Sequence, residues 1–195
     1  MIQQPRIIGI CGKKSHGKDT TAKILQHMFP GAVKYAFADP LKKGIQAWFD
    51  FSDEQIYGTE KETVDDRYGV SARSVLQLIG TDWVRNRLHS DLGIILPHSL
   101  WIERFHQFMM ANKQGVVIIS DVRFPDEVEA LAKYKGAIIL SVDRSQHIES
   151  IDNHASENTE LVKKKGIELN VLVEIDNNKS LSDLELIIKK VIEKN

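Results

Sequence analysis

Two glycines and three lysines near the N-terminus are the first residues whose types and spacing suggest chemistry. They lie in the segment Gly12-Lys13-Lys14-Ser15-His16-Gly17-Lys18-Asp19-Thr20-Thr21. Gly12 and Gly17 permit backbone dihedrals that a Cβ would block, so successive N–H groups can point at one anion. Lys18 adds a positive charge beside that anion. The segment therefore predicts a loop that binds the phosphate groups of a nucleotide.

The residues on either side supply the elements that such a loop requires. Residues 7–11 form an apolar run typical of a buried strand, and residues 20–28 contain no Gly or Pro and favour a helix. A strand, a glycine-rich loop and a helix in this order form the context of a phosphate-binding loop, with the positive end of the helix dipole below the phosphates. The alternative is an ordinary glycine-rich turn between a strand and a helix.

The residues after Lys18 depart from the usual pattern, in which Ser or Thr follows the lysine directly. Here Asp19 follows it, and Thr20 and Thr21 come next. Either Thr20 presents its hydroxyl to Mg²⁺ in a shifted register, or Asp19 acts on the metal or on the attacking phosphate. The residues leave both alternatives open.

A second cluster of charged residues follows the apolar run at 116–120, which reads as a central strand. Asp121 stands at the predicted carboxyl end of that strand, where it can face the phosphate-binding loop and orient Mg²⁺ through water. Arg123 can hold a phosphate with two hydrogen bonds, and Glu127 follows at the start of the next helix. The alternative is a local ion-pair cluster that caps this helix.

Two further groups of residues suit substrate contacts. Trp101 with Arg104, and Arg85 with Arg87, could clamp a base and its phosphate, although core packing or a solvated face explains each one singly. A polar loop after the fourth predicted strand could close over the transferring phosphoryl group. It contains Arg144, His154, Ser156 and Glu157, and a surface loop is the better reading for His147 and for the lysines at 163–165.

Composition limits the remaining classes. The 195 residues include 26 basic and 27 acidic residues, and the net charge of -1 gives no general case for binding nucleic acid or an acidic membrane. Cys11 is the one cysteine, which excludes an internal disulfide framework and favours a buried structural thiol. No apolar run approaches membrane-spanning length and no signal peptide is recognisable, so we expect a cytoplasmic protein.

The order of the predicted elements favours an α/β fold. Strands at 7–11, 32–38, 116–121, 137–142 and 171–175 are separated by helices, which predicts a five-stranded, mainly parallel sheet with helices on both faces. We expect one domain over 1–195, with a core at 1–38 and 115–195, a helical insertion at about 39–114 and a lid at about 144–165. Within the insertion, residues 59–68 read as a mobile charged loop, and residues 71–89 as a helix with a kink or break at Gly80.

These residues together resemble the bacteriophage-type deoxynucleoside monophosphate kinases. The resemblance runs in order from residue 6 to about 160. It is carried by Gly17-Lys18-Asp19-Thr20-Thr21, Tyr-Ala-Phe-Ala-Asp-Pro-Leu-Lys at 35–42, Leu-Gln-Leu-Ile-Gly-Thr-Asp at 76–82, Trp101, Asp121-x-Arg123-x-x-x-Glu127, Arg144 and His154-Ala-Ser-Glu157.

The resemblance implies a three-layer P-loop NTPase fold and transfer of the γ-phosphoryl group of ATP to a deoxynucleoside monophosphate with Mg²⁺. With the loop pattern, the predicted ATP-binding residues are Gly12, Lys13, Ser15, His16, Gly17, Lys18, Asp19, Thr20 and Thr21. The resemblance implies acceptor binding by Trp101, Asp121, Arg123 and Glu127, and with weaker support by Asp39, Lys42 and Arg85. The predicted catalytic residues are Lys18, Asp19, Arg123 and Arg144, and the predicted metal-binding residues are Asp19, Thr20 and Asp121.

The expected partners are small-molecule substrates, with no nucleic acid and no membrane, and a homodimer is left open. The resemblance points to a phage or prophage source, hence to the host cytoplasm. One alternative is a P-loop kinase of another small phosphorylated acceptor, such as dephospho-coenzyme A or phosphomevalonate. Another is a nucleotide-binding sensor without kinase activity, against which Lys18 and the arginines near the expected substrate site argue.

Overall fold

The structure is a computed structural model that describes residues 5–113, 115–146 and 159–194. The elements in chain order are β1 (Arg6–Cys11), α1 (Lys18–Met28), β2 (Val33–Tyr35), α2 (Asp39–Phe49), α3 (Asp53–Ile56), a 3₁₀ helix (Thr59–Glu62), β3 (Val64–Asp65), β4 (Val70–Ser71), α4 (Ala72–Gln77), a π-helical segment (Leu78–Arg85), α5 (Leu88–Leu92), α6 (Leu100–Ala111), β5 (Val116–Ile119), α7 (Pro125–Ala132), β6 (Ile138–Asp143), α8 (Glu160–Glu168), β7 (Leu172–Asp176) and α9 (Leu181–Lys194).

A five-stranded parallel sheet forms the centre of the fold. Its strand order is β2-β5-β1-β6-β7, and every neighbouring pair runs parallel. The central strand β1 pairs with β5 on one side, where Ile8 lies opposite Ile118, and with β6 on the other, where Ile10 lies opposite Leu140. The fold class predicted from the sequence is confirmed.

The alternation of side chains along β1 explains why helices cover both faces of the sheet. Ile8 and Ile10 are fully buried in a cluster that includes residues of α1 and α9. Gly9 faces the other way, and a Cβ built on it would lie 2.8 Å from the Leu131 side chain of α7. Glycine at this position lets α7 approach the strand closely.

The chain divides into two compact units. One comprises residues 1–36 and 105–195 and contains the five-stranded sheet, and the other comprises residues 37–104. The predicted insertion began at 39 and ended at 114, whereas the observed boundary falls inside α6. In the first unit, α6 contributes Phe105 and Phe108, whose rings lie 5.6 Å and 4.6 Å from the ring of Tyr35.

The second unit has a small apolar core of its own. Ile45 of α2, Ile56 of α3 and Val75 of α4 are buried together with Phe51. A capping box is present at the start of α3. Its Ser52 hydroxyl accepts the N–H of Gln55, and the Gln55 side chain accepts the N–H of Ser52.

The prediction of a loop at residues 59–68 was wrong. A 3₁₀ helix and the two-residue strand β3, paired with β4, occupy most of it. Asp65 is the reason that a charged segment is ordered, because its carboxylate accepts hydrogen bonds from Arg67 and from the Gln55 side chain. These hydrogen bonds hold the pKa of Asp65 well below its usual range.

The predicted interruption at Gly80 takes the form of a π-helical segment, Leu78–Arg85, after α4. A Cβ built on Gly80 would overlap the Leu41 side chain, so a larger residue would require that side chain to move. π-helical segments are uncommon and are frequent at functional sites. Arg85, a predicted acceptor-binding residue, is the last residue of this one.

The polar loop predicted for 144–165 ends earlier than expected, because residues 160–165 belong to α8. Val162 of this helix is fully buried, and Lys165, which was assigned to a surface loop, forms ion pairs with Glu129 of α7 and Glu168 at 3.1 Å each. Most of the predicted lid falls on 147–158, outside the described residues. Within the described part of the chain, no helix has the length and apolar character needed to cross a membrane.

Candidate functional site: a phosphate-binding loop and the ends of three parallel strands

The segment between β1 and α1 has the backbone conformation that a phosphate-binding loop needs. Gly12, Ser15 and Gly17 have φ angles of 146°, 64° and 100°. A Cβ on Gly12 would lie 2.5 Å from the carbonyl oxygen of Val142, so only glycine fits against β6 here. Gly17 is the residue before the first turn of α1. Backbone N–H groups of a loop with such angles can converge on an anion at the helix N-terminus.

Lys18 is the first residue of α1, and its side chain turns back over the loop. Its Nζ donates a hydrogen bond to the carbonyl oxygen of Lys13 at 2.6 Å. The ammonium group is therefore held at the loop, where it can contact a phosphate without a large movement. Lys13 and Ser15 are exposed, as expected for residues at the rim of a binding site.

The three residues after Lys18 differ in exposure. Asp19 is exposed, Thr20 is half-buried and Thr21 is fully buried. Thr21 donates its N–H to the carbonyl oxygen of Gly17, the first bond of the helix, and its hydroxyl has no hydrogen-bond partner among the described residues. Thr21 is therefore buried in the packing around α1, whereas Asp19 and Thr20 remain accessible to solvent.

These residues fit Mg²⁺ as a nucleotide-bound ion. Among the described residues, no three His, Cys, Asp or Glu side chains are grouped to hold a metal by themselves. Mg²⁺ at phosphate sites commonly keeps several waters and takes one or two protein ligands in addition to phosphate oxygens. An exposed carboxylate at Asp19 and a hydroxyl at Thr20 suit that requirement.

The carboxyl end of β5 lies beside the end of β1. Gly9 pairs with Ile119, and beyond this pair the N–H of Val122 donates to the carbonyl oxygen of Ile10 at 3.0 Å. Asp121, half-buried, precedes Val122 and therefore stands next to the strand that leads into the loop. The predicted position of Asp121 at a strand end of the sheet agrees with this geometry.

Glu127 caps the start of α7. Its Oε2 accepts the N–H of Arg123 at 2.7 Å and the N–H of Phe124 at 3.1 Å, and the side chain is almost completely buried. The helix-capping part of the alternative that the sequence left open for the Asp121-Arg123-Glu127 cluster is therefore present. Because Glu127 fixes the backbone of Arg123, the half-buried Arg123 side chain starts from a defined position.

His16 and the carboxyl end of β6 form a polar network that the sequence did not predict. The N–H of Arg144 donates to Nδ1 of His16 at 3.0 Å, and Oδ1 of Asp143 lies 3.3 Å from the same nitrogen. The Asn177 side chain donates to the His16 carbonyl oxygen at 2.9 Å, and the Asn177 N–H donates to the Asp143 carbonyl oxygen at 2.7 Å. The loop is thereby attached to β6 and to the turn after β7.

Two titratable groups of this network are shifted. Burial lowers the pKa of His16, against the opposing effect of the Asp143 carboxylate. The Ser145 hydroxyl, which donates to Asp143 at 2.7 Å, lowers the pKa of Asp143. Cys11, just before the loop, is buried, and burial raises the pKa of its thiol to about 11. The thiol is therefore protonated at neutral pH, as expected for a structural cysteine.

Four predicted acceptor-binding residues belong to the second unit. Asp39 begins α2, and Lys42 one turn later places its ammonium 5.1 Å from the centre of the Tyr57 ring. Arg85 ends the π-helical segment. Trp101 is 8 % exposed, and its indole N–H donates to the carbonyl oxygen of Gly80 at 3.0 Å. The N–H of Trp101 is therefore already used within the second unit.

The structure thus brings the loop, Asp121 and Arg144 to the carboxyl ends of three adjacent strands, β1, β5 and β6. Asn177 and Asp143 join this group, and a strand-end position is the one signal by which the sequence could have indicated them. His147, His154, Ser156 and Glu157 lie outside the described residues.

A parallel sheet of this order, with a lysine-bearing phosphate loop after its central strand, defines the chain as a P-loop nucleotide-binding protein. A model of the deoxynucleotide monophosphate kinase family matches residues 51–188. The chain belongs to this family. The enzyme class expected from the sequence, a kinase, is confirmed, and ATP is the donor that the kinase family implies.

Two relatives of known name are viral. A protein of Acanthamoeba polyphaga mimivirus, whose assigned name of deoxynucleotide monophosphate kinase is provisional, is 40% identical over 186 residues and aligns over 91% of each chain. The deoxynucleoside-5'-monophosphate kinase of Escherichia phage T5 is 24% identical, in an alignment that covers 64% of this chain and 71% of the phage protein. Among solved structures, TT1252 from Thermus thermophilus has a TM-score of 0.52 and 18% identity over 98% of both chains, a similarity that shows the fold alone.

Proposed function

We propose that this chain transfers the γ-phosphoryl group of ATP to a deoxynucleoside 5'-monophosphate and releases a deoxynucleoside diphosphate and ADP. The observation that carries the proposal is the loop in which Gly12, Ser15 and Gly17 have positive φ angles and Lys18 turns back to the carbonyl of Lys13. In a member of the deoxynucleotide monophosphate kinase family, such a loop is where the donor phosphates bind.

The protein needs to supply little covalent chemistry for this reaction. An oxygen of the acceptor phosphate attacks the γ-phosphorus, the bond from that phosphorus to the β–γ bridging oxygen breaks, and ADP leaves with the electron pair. The acceptor phosphate is already ionised at neutral pH, so no general base is needed. Positioning and neutralisation of charge carry such a transfer.

We assign the donor side to the loop. Backbone N–H groups of Gly12 to Gly17 hold the phosphates, and Lys18 neutralises charge on the β- and γ-phosphates. Mg²⁺, when bound with ATP, neutralises the same oxygens, and Asp19, Thr20 and Asp121 are the residues that would hold or orient it. The half-buried position of Asp121 beside β1 suits contact through water better than a direct bond.

We assign Arg123 to the acceptor phosphate and Arg144 to the transferring phosphoryl group. A guanidinium can bind two phosphate oxygens at once, and the backbone of Arg123 is fixed by Glu127. The fully engaged Oε2 of Glu127 supports a role in holding Arg123 rather than in binding the base. Asp39, Lys42, Arg85 and Trp101 of the second unit stay predicted contacts of the acceptor nucleoside.

Product identification tests the proposal. The purified chain is incubated with ATP, Mg²⁺ and one deoxynucleoside monophosphate, and the nucleotides are separated by anion-exchange chromatography. Equal amounts of ADP and the deoxynucleoside diphosphate are expected. ADP without any diphosphate of the added base would contradict the proposed acceptor, and formation of phosphorylated dephospho-coenzyme A or phosphomevalonate in parallel reactions would favour the alternative kinase.

A further inference from the structure

His16 is a buried residue in a loop whose other side chains are mostly exposed. It is 2 % exposed, whereas Lys13, Lys14 and Ser15 before it are exposed. Its ring does not point at solvent but lies against the end of β6, 128 positions further along the chain. A histidine buried at this place needs an explanation that phosphate binding by the backbone of the loop does not give.

The hydrogen bond from Arg144 favours one state of the ring. A backbone N–H can only donate, so Nδ1 of His16 accepts and carries a lone pair. A ring that accepts this bond is neutral with its proton on Nε2, which agrees with burial lowering its pKa, whereas the Asp143 carboxylate, 3.3 Å from Nδ1, acts in the opposite direction. Nε2 is buried and has no hydrogen-bond partner among the described residues. Because this nitrogen is covered, the ring acts on the end of β6 rather than directly on a nucleotide.

The bond holds the residue that we assign to the transferring phosphoryl group. Arg144 directly follows β6, so the position of its backbone determines where its side chain can reach. Its Nε is also buried without a partner in the described part of the chain. A second connection secures the same region, because Asn177 binds both the His16 carbonyl oxygen and the Asp143 carbonyl oxygen. The loop, Arg144 and Asn177 therefore form one unit of fixed geometry.

We propose that His16 is a positioning residue that fixes the backbone of Arg144 to the phosphate-binding loop and so places the Arg144 side chain for phosphoryl transfer. This inference rests on the proposed function. If His16 acts through Arg144, removing its ring lowers the rate of phosphoryl transfer because the Arg144 backbone is no longer held in place. Binding of the donor nucleotide is then largely unchanged.

A double-mutant cycle tests this relationship. H16A is expected to lower kcat about tenfold or more, with a change in the KM for ATP below about threefold, since a misplaced charged group mainly affects the transition state. H16N is expected to recover a large part of kcat, because its amide oxygen can accept the Arg144 N–H. In an R144A background, H16A is expected to have no further effect beyond about twofold, because residues that act as a unit are not additive.

H27A is the matched control. His27 lies exposed in α1, and its Nδ1 is 2.9 Å from the carbonyl oxygen of Lys23, so it tests the loss of a histidine that is remote from the loop. Its kcat should equal that of the unmodified chain. If H16A does not fold, the cycle is run with H16L and H16N, whose side chains share the same branched shape and differ in the ability to accept the bond.

Three results would overturn the inference. They are full additivity of the H16A and R144A effects, an H16A effect confined to the KM for ATP, and an R144A enzyme as active as the unmodified chain. A failure of the proposed function is recognised separately, because the unmodified chain would then form no deoxynucleoside diphosphate before any variant is compared.

Discussion

The N–H of Val122 donates a hydrogen bond to the carbonyl oxygen of Ile10 at 3.0 Å. This bond extends the pairing of β5 with β1 beyond the last regular pair, Gly9 with Ile119. It brings Asp121 beside the strand that leads into the phosphate-binding loop, although more than a hundred residues separate them in the sequence. The candidate site therefore depends on the register of two parallel strands. The same register fixes the position of the Arg123 backbone.

Removal of the Lys18 ammonium should abolish most transfer without unfolding the chain. We expect K18A to lower kcat/KM by about 100-fold or more, the usual effect of losing a charged group that stabilises a transition state. Initial rates of ADP formation measure this loss of activity. K23A, at an exposed position of the same helix, should retain full activity. Turnover of K18A like that of the unmodified chain would refute the phosphate-loop assignment.

Arg123 should affect the acceptor far more than the donor. We expect R123A to raise the KM for the deoxynucleoside monophosphate or to lower kcat by about tenfold or more, with ATP binding nearly unchanged. R123K keeps the charge but cannot form two parallel hydrogen bonds, so an intermediate loss is expected. Steady-state kinetics with each substrate varied in turn, and calorimetric titration with ATP, measure the two sides. Equal effects on both would show that Arg123 serves the donor side.

Two glycine substitutions should change stability in opposite directions. G12A must place a Cβ 2.5 Å from the Val142 carbonyl oxygen at a φ of 146°, so we expect a loss of about 2 kcal/mol or more in the free energy of unfolding. Gly44 lies within α2, and nothing stands within 4 Å of a Cβ built there, so G44A should gain about 0.5–1 kcal/mol. Urea denaturation measures both. A G12A chain of unchanged stability would contradict the observed loop conformation.

His16 should make stability fall between pH 7.5 and pH 5.5. Its pKa is lowered in the folded chain, so over this range the unfolded chain, with a pKa near 6.5, binds more protons than the folded one. Stability then rises with pH, and it declines as pH falls through the unfolded pKa. The charged groups that act on the ring are Asp143, which opposes this shift, and Lys18 and Lys13, which support it.

The matched variant for this pH dependence is H16N, which has no group titrating in that range at this position. Its free energy of unfolding should change less with pH than that of the unmodified chain over the same interval. The lowered pKa of Asp143 contributes only at lower pH, because its stabilising effect is present above its unfolded pKa and is lost as pH falls through the folded one. Parallel slopes for H16N and the unmodified chain between pH 7.5 and 5.5 would disprove the assignment to His16.

The sequence predicted the core of the fold because its signals there are local. Residues 7–11 and 116–119 are continuous apolar runs, and a buried parallel strand needs little else to be recognised. The capping box of Ser52 and Gln55 likewise lies within four residues. By contrast, α8 was missed because it buries mainly Val162 and Gly166, and its lysines give it the composition of a surface loop.

The long-range part of the site could not be predicted. The bond between Arg144 and His16 joins positions 128 residues apart, and no spacing in the sequence indicates it. The segment that forms β3 was predicted to be a loop because its residues are charged. The sequence pattern does not show that Asp65 is buried and accepts hydrogen bonds from Gln55 and Arg67. Glu127 lies between the local and the long-range signals. Its position three residues after Phe124 permits a helix cap, but only the structure shows that its Oε2 accepts the backbone N–H of Phe124.

Whether this chain is a deoxynucleoside monophosphate kinase can be decided in a coupled assay of ADP release with ATP, Mg²⁺ and each of dAMP, dGMP, dCMP and dTMP in turn. Phosphomevalonate and dephospho-coenzyme A serve as alternative acceptors, and K18A as the inactive enzyme. We expect one or more deoxynucleotides to stimulate ADP release, the two alternative acceptors not to stimulate it, and K18A to show about 100-fold less stimulation or lower. ATP binding without stimulation by any deoxynucleotide would rule out the proposed kinase activity and favour a nucleotide sensor.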